Sequence, residues 1–238
     1  MQAKYCFSER GKNIGIQAHI YLASAARLWY DRDKTTQAEN MDTQEAGMEI
    51  TYRQIDRSYF SRYDQIPMHV AVESEYRVER PEGGLGGLLL REVPVAPYVK
   101  DLSGYEIACE YDREFDLTNW AFFMAFDGET PVGAVTLASR TKNIVMLGGR
   151  EDLCVLWDIR VHDDYKRMGI GRRLFALGAD WAREQGLRQM KIECQNNNVP
   201  ACKFYRKQGA VLGGIDTYAY YLDPEIRGEV QMIWYLDL

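Results

Sequence analysis

The chain has 238 residues, of which 46% are hydrophobic and 27% charged, and these proportions fit one soluble α/β domain with a modest extra segment. Its net charge of -6 disfavours nucleic-acid binding through phosphates, which needs a surplus of Lys and Arg, and suits a cationic partner better. Five cysteines without a C-x-x-C pair and three histidines favour neither a disulfide framework nor a metal site.

The N-terminal 47 residues differ in composition from the rest of the chain. Residues 14 to 30 could form an amphipathic helix, although the apolar spacing is imperfect, and residues 33 to 47 are almost wholly polar, as in a linker. Neither a signal peptide nor an apolar run long enough for a membrane helix is found, so the cytoplasm is the default location. We therefore predict an extension of unassigned role over residues 1 to 47 and a working domain over residues 48 to 238.

Strand and helix signals become dense after Met48. A short strand is predicted over residues 49 to 53, a helix over 56 to 63 and extended chain over much of 70 to 95, with a glycine-rich turn at 82 to 87. Two apolar, β-rich runs at 120 to 126 and 132 to 140 flank the sequence D-G-E-T-P, which predicts a hairpin.

The segment from Leu153 to Val161 alternates strictly, which predicts a strand with Asp158 and Arg160 on the face opposite Ile159. A helix follows from Ile170, with apolar residues at helical spacing and Gly186 at the position of a C-terminal cap. A strand over 188 to 194 completes a right-handed βαβ unit. A helix over 199 to 208 and strands over 210 to 222 and 230 to 236 are predicted last.

The loop before the helix at Ile170 is the most informative stretch. It has the sequence K-R-M-G-I-G, in which Gly169 and Gly171 let backbone N–H groups converge at a helix N-terminus, where the helix adds unpaired donors and partial positive charge. This arrangement favours an anion site. Two glycines before a helix are equally compatible with a simple tight turn, and the sequence is neither a Walker loop nor a G-x-G-x-x-G fingerprint.

The same stretch resembles the signature [QR]-x-x-G-x-[GA] of the GNAT superfamily of N-acetyltransferases, with Lys166 where the family has Gln or Arg. A second family motif, N-x-x-A-x-x-F-Y-x-x-x-G, follows in the right order at Asn198, Ala201, Phe204, Tyr205 and Gly209. The blocks Q-N-N-N-V-P-A-C-K-F-Y, G-G-I-D-T-Y-A-Y and I-W-Y-L are most similar to streptothricin acetyltransferases.

The resemblance implies a fold and a cosubstrate. The fold would be the α/β (α+β) GNAT fold, a mixed, mostly antiparallel sheet with a splayed parallel strand pair, flanked by helices. Acetyl-CoA would be the cosubstrate, with its pantetheine arm held by main-chain groups of Ile159 and Val161 and by Asn198. The pyrophosphate would lie on the loop residues Lys166, Arg167, Met168, Gly169, Ile170, Gly171 and Arg172.

The resemblance also implies direct attack of a primary amine on the thioester, through a tetrahedral intermediate. An amine with a pKa near 10 must first lose a proton, and Asp158 is the predicted acceptor, although simple electrostatic binding of a cation explains that carboxylate equally well. Tyr205 is the general acid that the family motif supplies for the leaving thiolate. The alternative for Tyr205 is a packing role in the core.

The acceptor implied by the subfamily is a small cationic amine such as streptothricin, which would make the protein an antibiotic-resistance enzyme. Asp216, Tyr218 and Tyr220 are candidates for the acceptor site, and the acidic run over residues 106 to 116 is a candidate for attracting the amine. The alternatives are a GNAT enzyme acting on a peptide or protein amine and a non-catalytic CoA-binding sensor. No nucleic acid, membrane or metal partner is expected, and the oligomeric state, including a homodimer, stays open.

Overall fold

The computed structural model describes residues 49 to 238, so the predicted extension over residues 1 to 47 lies outside the described part. The strands are β1 (Ile50–Gln54), β2 (His69–Glu79), β3 (Leu89–Asp101), β4 (Trp120–Asp127), β5 (Thr130–Ser139), β6 (Leu153–Val161), β7 (Gln189–Gln195), β8 (Val211–Asp216) and β9 (Gln231–Asp237). The α-helices are α1 (Phe60–Tyr63), α2 (Tyr111–Glu114), α3 (Ile170–Glu184) and α4 (Val199–Lys207).

Seven strands form one sheet in the order β1-β4-β5-β6-β7-β9-β8, and β2 and β3 form a separate antiparallel pair. Every neighbouring pair in the large sheet is antiparallel except β6 and β7, which are parallel because α3 connects them. The sheet is covered on both faces. The first core lies on the face of α3 and α4, and the second core lies on the opposite face around Tyr63, Tyr111 and Trp157. These features confirm the predicted mixed α/β GNAT fold with its parallel pair.

Local patterns account for most element boundaries. The β4–β5 hairpin, β6 and the start of α3 lie where the sequence predicts them, and Gly186 at φ 71° follows the end of α3. The predicted helix over 56 to 63 is shorter, because the Asp56 carboxylate caps a 3-10 turn over Arg57–Tyr59 before α1 begins. No helix of the described residues is long and apolar enough to cross a membrane.

The predicted strand over 210 to 222 ends early, at Asp216. The Asp216 carboxylate accepts a hydrogen bond from the Tyr218 N–H at 2.8 Å, which turns the chain away from the sheet. Residues 217 to 230 then form an irregular connection to β9 that brings Tyr220 back into the interior, where it is 4% exposed.

The strict alternation predicted for β6 is wrong at one position. The register between β5 and β6 shifts between Thr136, paired with Asp158, and Leu137, paired with Leu156, so that Trp157 is an extra residue in a β-bulge. Because one extra residue reverses the alternation, Trp157, Asp158 and the residues that bind Asp158 lie on the face of the second core. Ile159 packs instead against the first core, with Leu156.

Candidate active site

The two parallel strands separate towards their carboxyl ends. β6 and β7 are paired from Leu153 with Gln189 to Leu156 with Ile192, but β6 continues to Val161 and β7 to Gln195 without further pairing to each other. The β7-facing edge of residues 157 to 161 therefore carries main-chain groups that no strand of the described chain covers. Parallel strands that diverge in this way open a cleft lined by backbone donors and acceptors.

The loop into α3 presents its N–H groups to solvent. Arg167 at φ 67° and Gly169 at φ 86° are left-handed, and they turn the chain sharply into the helix. Within residues 49 to 238, the backbone N–H groups of residues 167 to 172 donate no hydrogen bond. The first backbone hydrogen bond of α3 is donated by the Arg173 N–H to the Gly169 carbonyl at 3.1 Å. Successive free donors at a helix N-terminus are suited to an anion such as a phosphate.

Lys166 holds this loop in place. Its ammonium donates to the His69 carbonyl at 2.7 Å and pairs with Asp163 at 2.6 Å, and the His69 ring contacts Asp163 at 2.6 Å. The side chain predicted to bind the anion thus also ties the loop to the start of β2. Burial would raise the pKa of Asp163, but Lys166 and His69 together hold that pKa below its usual value.

One cavity of about 630 Å³ brings together most of the predicted site residues. Its lining includes the predicted residues Asp158, Ile159, Val161, Lys166, Arg167, Gly169, Gly171, Arg172, Asn198 and Tyr205. Met168 and Ile170 do not line it: the Met168 side chain is exposed, and the Ile170 side chain is buried in the first core, so these two residues can contribute only main-chain groups.

Asp158 forms the charged floor of the cavity. Its side chain is fully buried, and its Oδ2 atom accepts hydrogen bonds from Arg160 Nε at 2.8 Å and from the Tyr63 hydroxyl at 2.8 Å, with Arg160 Nη2 at 2.5 Å. The Oδ1 atom is buried and has no hydrogen-bond partner among the described residues. A buried carboxylate oxygen without a partner is able to accept a hydrogen bond from a ligand donor or a cation that enters the cavity.

Arg160 is held rigidly. Burial would lower the pKa of Arg160, but Asp158 and then Tyr63 raise that pKa above the usual range. The guanidinium also donates to the carbonyls of Ile66 at 3.2 Å and Glu106 at 2.7 Å, and it lies 5.0 Å from the centre of the Tyr63 ring. Arg160 therefore stays charged and keeps Asp158 in one orientation.

Tyr205 lies on α4 and reaches the same cavity from the other side of the cleft. Its side chain is 5% exposed and packs against Phe175 and Phe204. Burial raises the pKa of its phenol well above the ordinary value of 10.0, and Cys194, Cys202 and Asp158 add to this. The phenol therefore keeps its proton at neutral pH, as a proton donor must.

Asn198 is the N-cap residue that directly precedes α4, and it lines the cavity. Its Oδ1 atom accepts a hydrogen bond from the Ala201 N–H at 3.2 Å, so the amide nitrogen is not needed for the cap and can donate to a ligand. Among residues 49 to 238, no group of three or more His, Cys, Asp and Glu residues is arranged to hold a metal ion.

Sequence reasoning missed four residues that shape this site: Tyr63, His69, Arg160 and Glu193. Glu193 lies on β7, a strand in the middle of the sheet, where it alternates with Met190, Ile192 and Cys194. A charged residue on an interior strand is a signal that the sequence does contain. Tyr63 and His69 join the site through contacts with Asp158 and Asp163, which local patterns do not reveal.

The chain is similar in sequence to known acetyltransferases. Residues 88–210 match the model of the Acetyltransferase (GNAT) family. A streptothricin acetyltransferase of Escherichia coli is 33% identical over 149 residues, which are 63% of this chain and 76% of that protein. Streptothricin acetyltransferase A of Bacillus subtilis (strain 168) is 35% identical over 139 residues, which are 58% of this chain and 73% of that protein.

Solved structures resemble the fold over most of its length. The crystal structure of nourseothricin acetyltransferase superimposes with a TM-score of 0.64 at 25% identity, covering 79% of this chain and 98% of that one. A Bacillus anthracis str. Ames structure in complex with acetyl coenzyme A, described as a streptothricin acetyltransferase, has the same TM-score and identity, covering 80% of this chain and 98% of that one.

Proposed function

The chain belongs to the GNAT family of acetyltransferases and is an acetyl-CoA-dependent N-acetyltransferase, and on that premise we propose that its acceptor is a primary amine of streptothricin. Acetylation of that amine would give a bacterium resistance to the antibiotic. The relatives named above support this choice of acceptor, since the two most extensive sequence matches described are both streptothricin acetyltransferases.

The observation that carries the proposal is the acidic floor of the cavity. Asp158 and Glu193 each place a buried carboxylate oxygen without a hydrogen-bond partner in the described chain next to the same 630 Å³ space, and Glu106 also lines it. A buried carboxylate oxygen is stabilised by a cationic hydrogen-bond donor. It repels an anionic substrate and stays unsatisfied beside a neutral substrate that offers no donor. A small polycationic amine matches this chemistry.

The residues present fit acetyl-CoA. The free N–H groups of residues 167 to 172 would hold the pyrophosphate, with Arg167 and Arg172 at the rim of the cavity. The uncovered edge of β6 at Ile159 and Val161, together with the Asn198 amide, would bind the pantetheine arm. Bound acetyl-CoA supplies an activated acyl carbon and a thiolate leaving group.

The side chains of the chain then divide the proton chemistry. Asp158 binds the acceptor ammonium through Oδ1, and the main chain near Ile159 donates a hydrogen bond to the carbonyl oxygen as negative charge develops there. Tyr205 gives its phenolic proton to the departing sulfur. Its high pKa does not prevent this transfer, because the burial that disfavours a phenolate disfavours a thiolate in the same place.

A screen of acceptors tests the proposed function. Thiol release from acetyl-CoA is followed with streptothricin, with peptides that carry a free N-terminus and with no acceptor. We expect rapid thiol release with streptothricin and background rates with the other two. Activity on the peptides without activity on streptothricin would identify a protein acetyltransferase, and calorimetric binding of acetyl-CoA without any acetylation would identify a sensor.

A further inference from the structure

Glu193 is a partly buried carboxylate that lines the cavity and that the proton transfers described above do not use. On β7, Met190, Ile192 and Cys194 face the first core, whereas Glu193 is paired with Ile233 and faces the second core. The bulge at Trp157 places Asp158 on that same face. The two carboxylates thus approach one cavity from the two arms of the splayed strand pair.

The contacts of Glu193 differ from those of Asp158. One oxygen, Oε1, accepts a hydrogen bond from the Tyr220 hydroxyl at 2.7 Å, and Oε2 is buried without a hydrogen-bond partner among residues 49 to 238. Within the described part of the chain, Gln231 from β9 and Lys191 from the same strand also act on Glu193. The Lys191 ammonium donates a hydrogen bond to the Met146 carbonyl at 3.1 Å.

These contacts assign different chemistry to the two carboxylates. Asp158 is joined to the Arg160 guanidinium in a buried ion pair and receives the Tyr63 hydroxyl as well, so protonating it would leave a buried cation uncompensated. The described partners Tyr220 and Gln231 of Glu193 are neutral, and Glu193 forms no ion pair with Arg160, so it can take up a proton without leaving that buried cation unpaired. Of the two, Glu193 is suited to exchange a proton and Asp158 to hold a cation.

We infer that Glu193, oriented by Tyr220, is the group that accepts the proton of the acceptor ammonium, while Asp158, paired with Arg160, anchors the cation. The inference rests on the proposed acetyl transfer. In this step an N–H bond of the ammonium breaks, an O–H bond forms at Oε2, and the nitrogen lone pair is freed for attack. Glu193 later releases the proton to water, and the second proton that the nitrogen loses balances the one that Tyr205 gives to sulfur.

The electrostatics of the site agree with this assignment. Burial raises the pKa of Glu193 above its ordinary value of 4.5, and the Tyr220 hydroxyl, Gln231 and Lys191 oppose that rise. A carboxylate with a raised pKa is a stronger base near neutral pH than an ordinary one. Burial is the main cause that raises the pKa of Tyr220, and the Glu193 carboxylate raises it further. The Tyr220 hydroxyl therefore keeps its proton and remains a hydrogen-bond donor to Glu193.

The pH dependence of kcat/KM for streptothricin tests the inference. Glu193→Gln keeps the acceptor for the Tyr220 hydroxyl but removes the base, so we expect a loss of about 10²- to 10⁴-fold at pH 7. The loss should shrink as the pH approaches the pKa of the amine, because solution then supplies the free amine. Glu225→Gln, which removes a charge from the exposed surface of the Tyr220 segment, should retain the wild-type profile.

Tyr220→Phe separates a positioning role from a structural one. Loss of its hydrogen bond removes a donor that favours the ionised carboxylate, so the acidic limb of the kcat/KM profile should move to higher pH. A loss in Glu193→Gln that is constant across pH, or an unmoved limb in Tyr220→Phe, would overturn the inference.

A second measurement needs no acceptor and keeps the inference separate from the proposed function. Because the folded-state pKa of Glu193 is raised, its ionisation lowers the stability of the wild type as pH rises from the unfolded-state pKa to the folded-state pKa. The free energy of unfolding of Glu193→Gln minus that of the wild type should grow over this window and stay constant above it. A difference that does not vary with pH overturns the role of Glu193. Failure of the wild type to acetylate streptothricin overturns only the acceptor.

Discussion

Replacing Arg160 by Met tests whether Arg160 and Asp158 form an ion pair that is shielded from water. The Arg160 and Asp158 side chains are 1% and 0% exposed, so the variant leaves a buried carboxylate without its cation. Removing one partner of such a pair costs about 3 to 5 kcal/mol, because the remaining charge has lost its solvation and its counter-charge. With a urea dependence of about 2 kcal/mol per M, a loss of about 4 kcal/mol lowers the unfolding midpoint by about 2 M.

Two further variants isolate the cause. Adding Asp158→Asn to Arg160→Met removes the unpaired charge. The remaining loss should come mainly from the two hydrogen bonds that Arg160 donates to the Ile66 and Glu106 carbonyls, at about 1 kcal/mol each. The double variant should therefore be more stable than Arg160→Met alone, by about 2 kcal/mol. Arg150→Met breaks an exposed pair with Asp152, where both side chains are 43% exposed, and should cost under about 1 kcal/mol.

Urea unfolding followed by far-ultraviolet circular dichroism measures all three variants at pH 7. The reasoning is refuted if Arg160→Met is no more destabilised than Arg150→Met. It is also refuted if the double variant is less stable than Arg160→Met, because the Asp158 charge would then not be the source of the loss.

Substitutions at three other residues, Gly169, Asn198 and Tyr205, probe the cosubstrate site and the proton donor. Gly169→Ala strains a residue at φ 86° and should weaken acetyl-CoA binding in calorimetry, whereas Gly186→Ala, at φ 71° beyond the other end of α3, should lower the melting temperature with unchanged binding. Equal acetyl-CoA binding by both variants would contradict a role of the loop over residues 166 to 172 in binding the pyrophosphate. Asn198→Asp keeps the N-cap acceptor but removes the amide donor, so acetyl-CoA affinity should fall at unchanged stability, and Asn198→Ala should also lose about 1 kcal/mol of stability. Tyr205→Phe should lower kcat by about 10²- to 10⁴-fold with little change in KM for acetyl-CoA, and a wild-type rate across pH would remove its role as proton donor.

Local sequence patterns predicted the elements that build the cleft. Alternation over Leu153 to Val161 and helical spacing from Ile170 depend on neighbours within a few residues, so strand, loop and helix could be placed from sequence alone. The glycine at 169 likewise carries its own conformational signal, since its φ of 86° is one that other residues rarely adopt.

Long-range contacts account for what the sequence did not reveal. The bulge at Trp157 depends on the register with β5, and a strand can accommodate one extra residue without any change in its own pattern. The hydrogen bond from Tyr63 to Asp158 joins residues 95 positions apart. The importance of Glu193 depends on β7 lying between β6 and β9, and that order follows from the sheet topology and not from the strand itself.

Mass spectrometry of streptothricin incubated with the protein and acetyl-CoA tests the central claim most directly. The account predicts that streptothricin gains the mass of one acetyl group, on an amine, at a rate that falls sharply in Tyr205→Phe. Unmodified streptothricin after prolonged incubation with a folded protein that binds acetyl-CoA would contradict it.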